Sequence, residues 1–307
     1  MSGFDFETRV ITVSVFGRSD VGRRRSDNQD DFVIADLSSS DGQGCLLRPE
    51  DSTDGRMGSG EIVLGRKGAL VLVADGMGGA AGGLASRLAT TWILDELRAS
   101  WATERDPTPR RFAQLLQLAI QRTNARIHEQ AMRSPELNGM GTTATAVGIL
   151  DDYIYVAQVG DSRAYLLREG HASQLTRDQS MVQALIDAGT LTEEEAETSG
   201  HRSVILQALG TAPEVNVEMT YQELRRGDLL ILCSDGLSRV VRRNEIEAVA
   251  DGSDDLVAVC NELVAMANER GGPDNVTVVL ARVDGSGLEH ATAGEPVTRN
   301  VFVVPEP

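Results

Sequence analysis

Aromatic side chains are scarce: Phe, Trp and Tyr make up 4% of the 307 residues, against 41% hydrophobic residues in all. A core built from this chain is therefore aliphatic, and the length suffices for one sizeable core or two modest domains. Basic residues are outnumbered, 29 Lys and Arg against 46 Asp and Glu, which leaves a net charge of −17. Such a surface repels a phosphate backbone, so no nucleic-acid partner is expected. Cysteine is sparse too. Cys45, Cys233 and Cys260 form no CxxC or zinc pattern, and Cys233 and Cys260 sit in apolar runs as buried thiols. That usage suits a reducing compartment, and a cytoplasmic location is expected. No apolar run approaches a membrane span, and no apolar segment follows a basic start as in a signal peptide. His128, His171, His201 and His290 are scattered and receive no metal role.

What is present is a recurrent strand ending. Ala69-Leu70-Val71-Leu72-Val73-Ala74 is an unbroken apolar run that stops at Asp75-Gly76-Met77-Gly78-Gly79. Runs of this kind read as strands buried on both faces. An acid at the end of such a strand, followed by glycine backbone that lets carbonyls approach a ligand, is what a hard divalent cation needs. A strand-to-helix turn with a solvated Asp explains this one stretch equally well. The balance moves because Leu229 to Cys233 ends at Ser234-Asp235-Gly236, Asp161 follows Val159-Gly160, and Asp274-Asn275 opens the strand Val276 to Val283.

Around these ends the chain alternates strands and helices. Val10 to Phe16 reads as a strand, followed by a polar loop with three consecutive arginines, Arg23-Arg24-Arg25, and then by the strand Asp31 to Asp36. Residues 37–67 read as a connection poor in apolar periodicity. Gly60 to Lys67 has a faint P-loop look, but the Gly-Lys-Ser/Thr ending is missing and a strand follows. Ala81, Ala85, Leu88 and Trp92 recur at helical spacing; Thr108-Pro109 opens a longer helix with the face Phe112, Leu115, Leu116, Ala119, Ile120, Thr123 and Ile127. Thr142 to Leu150 and Tyr153 to Val159 form a hairpin through Asp151-Asp152, and Ala164 to Leu167 resumes as a strand. Residues 176–213 read as polar and mostly helical. Ser253 is expected to cap a last helix with the face Leu256, Val259, Cys260, Leu263, Val264 and Ala267. The tail from Asp284 to Pro307 reads as mobile.

Acids gathered at strand ends repel one another unless cations join them. Oxygen-only ligands select Mg²⁺ or Mn²⁺ over zinc, and two such ions can activate a water toward phosphorus. Arg25, in the loop rich in arginine and acids, is the candidate to grip a phosphate.

Taken in order, Arg25-Ser26-Asp27-Asn28-Gln29-Asp30, Asp75-Gly76-Met77-Gly78-Gly79, Gly141-Thr142-Thr143, Val159-Gly160-Asp161-Ser162-Arg163, Ser234-Asp235-Gly236-Leu237 and Gly272-Pro273-Asp274-Asn275-Val276-Thr277 resemble the motifs of the bacterial metal-dependent type 2C serine/threonine protein phosphatases. The resemblance implies an α+β fold, a four-layer α-β-β-α sandwich of two packed antiparallel sheets flanked by helices. It implies one catalytic domain over residues 1–283, with an insertion over about 37–67 and a flap over about 176–209, and a flexible tail over 284–307. It implies hydrolysis of phosphoserine and phosphothreonine on proteins by a metal-bridging hydroxide, in opposition to a cognate serine/threonine kinase. By matching positions, Asp75 would bridge two Mn²⁺ or Mg²⁺ ions and the Gly76 carbonyl would bind one. Asp235 and Asp274 would bind the other. Asp30 would hold metal-bound waters, Asp161 with Asp235 would form a third, weaker site, and Arg25 would bind the substrate phosphate. A monomer is expected.

The chain departs from the pattern at Gln29, where many members have Glu, and at Met77, where animal members have His. The 37–67 connection is longer than in the compact bacterial form. Two other readings are a catalytically silent binding module on the same fold and a protein whose ions serve stability alone. Chain direction adds one expectation: Asp31 to Asp36 runs away from the acids for about 20 Å at about 3.3 Å per residue, and Ala69 to Ala74 returns. The insertion is therefore expected at the far end of the sandwich.

Overall fold

The computed structural model of the chain describes residues 9–39, 45–48, 56–105 and 107–303. The strands are β1 (Thr12–Asp20), β2 (Asp30–Asp36), β3 (Cys45–Leu47), β4 (Arg56–Val63), β5 (Ala69–Met77), β6 (Gly141–Thr142), β7 (Ala144–Leu150), β8 (Tyr153–Val159), β9 (Arg163–Arg168), β10 (His171–Gln174), β11 (Glu218–Glu223), β12 (Leu229–Cys233), β13 (Val276–Asp284) and β14 (Asn300–Val301). One sheet has the order β10-β9-β12-β13-β1-β4, the other β14-β11-β8-β7-β5-β2-β3, with β6 added to β5. Every named pairing is antiparallel. The helices are α1 (Gly82–Ala102), α2 (Pro109–Arg133), α3 (Met181–Asp187), α4 (Glu193–Thr198), α5 (Asp235–Ser238), α6 (Arg243–Ala250) and α7 (Leu256–Glu269).

The side-chain period of a strand produces the layering. In β5, Leu70, Leu72 and Ala74 pack with α1 and α2, whereas Ala69, Val71 and Val73 pack into the space between the sheets. In β12, Leu230 and Leu232 face the other sheet, while Leu229, Ile231 and Cys233 meet the Val259, Leu263 and Val264 face of α7. Three apolar layers thus separate four layers of secondary structure. The few large rings sit where a long side chain bridges elements: Trp101 of α1 lies edge-on to Phe112 of α2 at 5.3 Å, and its indole N–H donates to the Lys67 carbonyl at 2.9 Å.

Several elements differ from the sequence reading, each through a contact between distant residues. β1 continues to Asp20 because every residue from Thr12 onward has a partner in β13. The insertion is not all loop: β4 pairs with β1 from Arg56↔Ser19 to Thr12↔Val63. β3 runs back along β2, and β4 then starts beside Ser19 at the end where the acids lie. The expectation that residues 37–67 stay at the far end therefore fails, since the return path is part of two sheets. Positions 40–44 and 49–55 of that segment lie outside the described residues. The last helix is capped by Asp255, which accepts from the Ala258 N–H at 3.0 Å, and not by Ser253. Residues 176–213 hold the two short helices α3 and α4, and the rest is irregular apart from single bridges such as Ser180 to Ile205. β10 and β11 were not read in the sequence.

The segment beyond Asp284, expected to be mobile, lies against the body. β14 pairs with β11, and the Phe302 ring sits edge-on to Tyr155 and Tyr221 at 6.2 and 6.1 Å. Leu288 is buried, and Val297 packs against the inter-sheet core. Glu295 pairs with Arg225 at 2.8 Å and with Arg168 at 3.3 Å. Arg168 is itself buried in a bidentate pair with Asp228 at 2.9 and 2.7 Å. Removing Ser286 to Pro307 exposes the apolar surface under Leu288, Val297 and Phe302, roughly 3 kcal/mol at the usual area coefficient. Thermal unfolding of that truncated chain is expected about 5–10 °C below the full chain. An unchanged Tm would mean that the tail does not hold the sheet edge.

Candidate metal centre

Antiparallel pairing brings the acids to one end. Asp30 opens β2 and lies directly opposite Asp75 near the end of β5. β1 ends at Asp20 opposite Val276, so Asp274 stands just beyond the start of β13. The Ser234 N–H donates to the Thr277 carbonyl at 3.1 Å, which sets Asp235 beside that start. Asp161 leaves β8 just before β9, whose first residue, Arg163, is opposite Cys233. Five expected site residues, Asp30, Asp75, Asp161, Asp235 and Asp274, thus come from separate strand ends onto one rim. Gly76 is next to them, its N–H bound to the Gln29 carbonyl at 3.2 Å.

Two glycines are required by the closeness of backbones there. A Cβ on Gly76 would collide with the Gly82 and Gln29 carbonyls, and one on Gly236 with the Asn275 carbonyl. The second approach fixes the Asp235 turn against the Asp274 turn through main chain alone.

Hydroxyls and amides then aim the acids. The Ser234 and Thr277 hydroxyls both donate to Asp30 Oδ2 at 2.7 Å. Thr143 Oγ1 accepts from the Asp75 N–H at 3.0 Å, and the Thr142 hydroxyl donates to the Asp75 carbonyl at 2.8 Å. Asn275 fastens the arginine-rich loop: its amide donates to the Val21 and Asp27 carbonyls at 2.9 and 3.0 Å, and its Oδ1 accepts the Gln29 N–H at 2.8 Å. The Gln29 side chain donates to the Gly79 carbonyl. Ser234, Thr277 and Asn275 lay within the motifs quoted above and received no role there. Their neighbours' carboxylates were the only signal.

The electrostatics are those of a cluster short of positive charge. Burial first, then the Asp30 charge and those of Asp235, Asp161 and Asp274, hold the Asp75 carboxyl well above the usual range. Burial pushes Asp30 up to about 6. Burial also pushes Asp235 up to about 7, with Arg239 opposing, and raises Asp161. Asp161 Oδ1 and Asp235 Oδ1 are buried with no hydrogen-bond partner. Arg25 donates to Asp274 Oδ2 at 2.8 Å with about half its side chain exposed, 54%. Arg239 pairs with both Asp235 and Asp161.

Buried carboxylate oxygens without donors suit a hard cation. Among the described residues, no three acid, His or Cys side chains close on one point as a cage. Ions of the Mg²⁺ class keep several waters and take one or two carboxylates each. Beside the rim, a cleft of about 350 Å³ is lined by Ser199, Arg202, Gly236, Arg239 and Asp274 among others. The segment over about 176–209 forms its outer wall and is anchored where Gln179 and Gly160 exchange hydrogen bonds at 2.9 Å.

Residues 58–281, more than half of the chain, match the protein phosphatase 2C family. The chain belongs to that family. It is 36% identical over 216 residues to the serine/threonine phosphatase stp of Listeria monocytogenes, covering 70% of this chain and 84% of that one. It is 40% identical over 223 residues to the serine/threonine protein phosphatase PstP of Mycobacterium tuberculosis, covering 70% of this chain; the match spans 40% of that longer relative. The crystal structure of the PstP/Ppp phosphatase superposes with a TM-score of 0.70 at 33% identity, over 91% of this chain and 100% of the other. A PstP catalytic-domain structure in complex with two manganese ions superposes at 0.68 with 32% identity, over 89% of this chain and 99% of that one. These matches agree with the four-layer α+β sandwich. Among the described residues no helix is long and apolar enough to cross a membrane.

The raised carboxyls give a pH dependence of definite sign. A carboxyl whose folded pKa lies above its unfolded value stabilises the fold below the unfolded pKa and loses that contribution as pH rises through the folded one. For Asp30 and Asp235 the window runs from 3.8 to about 6 and about 7. Chelator-stripped protein is therefore expected to lose thermal stability as the pH rises from about 4 to about 7, and saturating Mn²⁺ should abolish the loss. An Asp235→Asn variant should flatten the metal-free profile. A metal-free profile that rises across this window would contradict the assigned electrostatics.

Proposed function

We propose that the chain is a metal-dependent protein phosphatase that hydrolyses phosphoserine and phosphothreonine on proteins, opposing a serine/threonine kinase. The observation that carries the reading is the gathering of Asp30, Asp75, Asp161, Asp235 and Asp274 at one rim, with buried oxygens of Asp161 and Asp235 lacking donors. Asp75 and the Gly76 carbonyl, with Asp235 and Asp274, would hold two Mn²⁺ or Mg²⁺ ions, and Asp161 with Asp235 a third, weaker one. When bound, such ions acidify a water and polarise phosphoryl oxygens.

The chain's own residues supply placement. Asp30, oriented by the Ser234 and Thr277 hydroxyls, would hold water in the site. Arg25 is half in solvent and can leave Asp274 for a substrate phosphate, whose two oxygens fit the guanidinium fork. Cys233 and Cys260 are buried, with thiols pushed up to about 12 by burial, so neither serves as a nucleophile. Position 77 is Met, which carries no proton to give, so the leaving group takes its proton from water or from another group.

Asp75→Asn removes the charge shared by both ion sites. Turnover of an aryl phosphate at saturating Mn²⁺ is expected to fall at least about 100-fold, near 2.7 kcal/mol in the barrier. Chelation of the unmodified enzyme should stop turnover and Mn²⁺ should restore it. A protein that never turns over the substrate, with or without metal, would be the silent binding module. Arg25→Ala tests the phosphate grip separately. KM for the aryl phosphate is expected to rise about tenfold, a loss near 1.4 kcal/mol, with Mn²⁺ affinity unchanged in calorimetry. Collapse of Mn²⁺ affinity would make Arg25 a structural partner of Asp274.

A further inference from the structure

Arg239 occupies a place that the two-ion reading does not use. α5 is a single turn that begins at Asp235, and Arg239 follows it in helical conformation, with φ −78° and ψ −19°. The four-residue spacing brings the guanidinium back over the Asp235 carboxylate. Its Nη2 pairs with Asp235 Oδ2 and reaches Asp161 Oδ2 at 3.2 Å. The two acids are almost wholly buried, at 7% and 5% side-chain exposure, while Arg239 keeps 25% toward the cleft. Other arginines near Asp161 and Asp235 are engaged elsewhere. Arg163 is bound to Asp178 by three contacts of 2.9, 3.1 and 2.7 Å, and Arg25 is on Asp274.

We propose that Arg239 is a resident counter-charge that competes with a divalent ion for the Asp161–Asp235 pair, so that this chain holds two ions and resists a third. The inference rests on the metal reading above. One guanidinium neutralises half the charge of two carboxylates and contacts one oxygen of each. The remaining oxygens, Asp161 Oδ1 and Asp235 Oδ1, stay without donors. A divalent ion would neutralise both acids but must first turn the guanidinium out. The cleft alongside gives it somewhere to go, because Arg239 already lines that space. The exchange need not disturb the neighbouring wall, since Arg202 holds Arg239 by its backbone carbonyl, at 3.1 Å. Third-ion occupancy is therefore set by competition inside the protein as well as by ion concentration.

The test is a Mn²⁺ titration of chelator-stripped protein, followed by calorimetry and by the electron paramagnetic resonance signal of free Mn²⁺. Unmodified protein is expected to bind two ions, with a third only at high concentration. Arg239→Gln should bind a third ion at least about tenfold more tightly, about 1.4 kcal/mol. Arg239→Met, which keeps the apolar stem, is titrated beside it so that a folding failure of one variant leaves the comparison intact. Arg239→Lys, which retains the charge, should resemble the unmodified protein, and Asp161→Asn in the Arg239→Gln background should remove the gain. Two-ion binding that neither neutral variant alters overturns the inference and leaves the metal reading standing. A gain that survives Asp161→Asn also overturns it. Absence of any Mn²⁺ binding by the unmodified protein overturns the metal reading itself.

Discussion

Like charges forced together at the edge of an apolar body govern this molecule. Burial raises the proton affinity of the carboxylates at the strand ends, and their like charges raise it further. The fold accepts this because the strands that carry them are committed by their apolar faces. β5 cannot withdraw Asp75 without exposing Leu70, Val71, Leu72 and Val73, all fully buried. β12 and β13 hold Asp235 and Asp274 in the same way, through Leu230, Leu232, Val279 and Ala281. Aliphatic burial at the centre of the sandwich thus sustains electrostatic tension at its rim, which cations bound there would relieve.

The positive groups around the rim are arginines, and each has a different freedom. Arg163 is tied to Asp178 and fixes the start of β9. Arg239 spans two buried acids from the edge of the cleft. Arg25 reaches Asp274 from a loop and is the most exposed of the three. Hydroxyls do the finer work. Ser234, just after β12, and Thr277 of the neighbouring β13 take the same oxygen of Asp30, so that carboxylate is oriented by the protein and not by any ligand.

Much of this was legible in the sequence, for a local reason. An acid at either end of a buried strand leaves a one-dimensional trace, sharpest in Asp75-Gly76 and Asp235-Gly236, and Asp161 and Asp274 were found beside strand ends in the same way. The two long helices were equally plain from their apolar stripes and from Thr108-Pro109. What escaped notice depends on pairing. β4 is rich in Gly and Ser, and it is a strand because β1 offers it an edge. The tail holds through Glu295 meeting Arg168 and Arg225, and Phe302 meeting Tyr155 and Tyr221, contacts spanning large sequence separations. Arg239 had only its spacing from Asp235 to mark it, and i,i+4 charge pairs are common on any helix. The direction of the insertion was misjudged because strand counting assumed two strands where the chain makes four.

The contact between Gly236 and the Asn275 carbonyl has a consequence for how the site can vary. Two turns that touch main chain to main chain behave as a calliper with its screw tightened. The span between Asp235 and Asp274 is tied to the pairing of β12 and β13, which side-chain repacking nearby does little to adjust. A change of metal preference would then have to come through water positions and neighbouring charges, because the jaws themselves do not move.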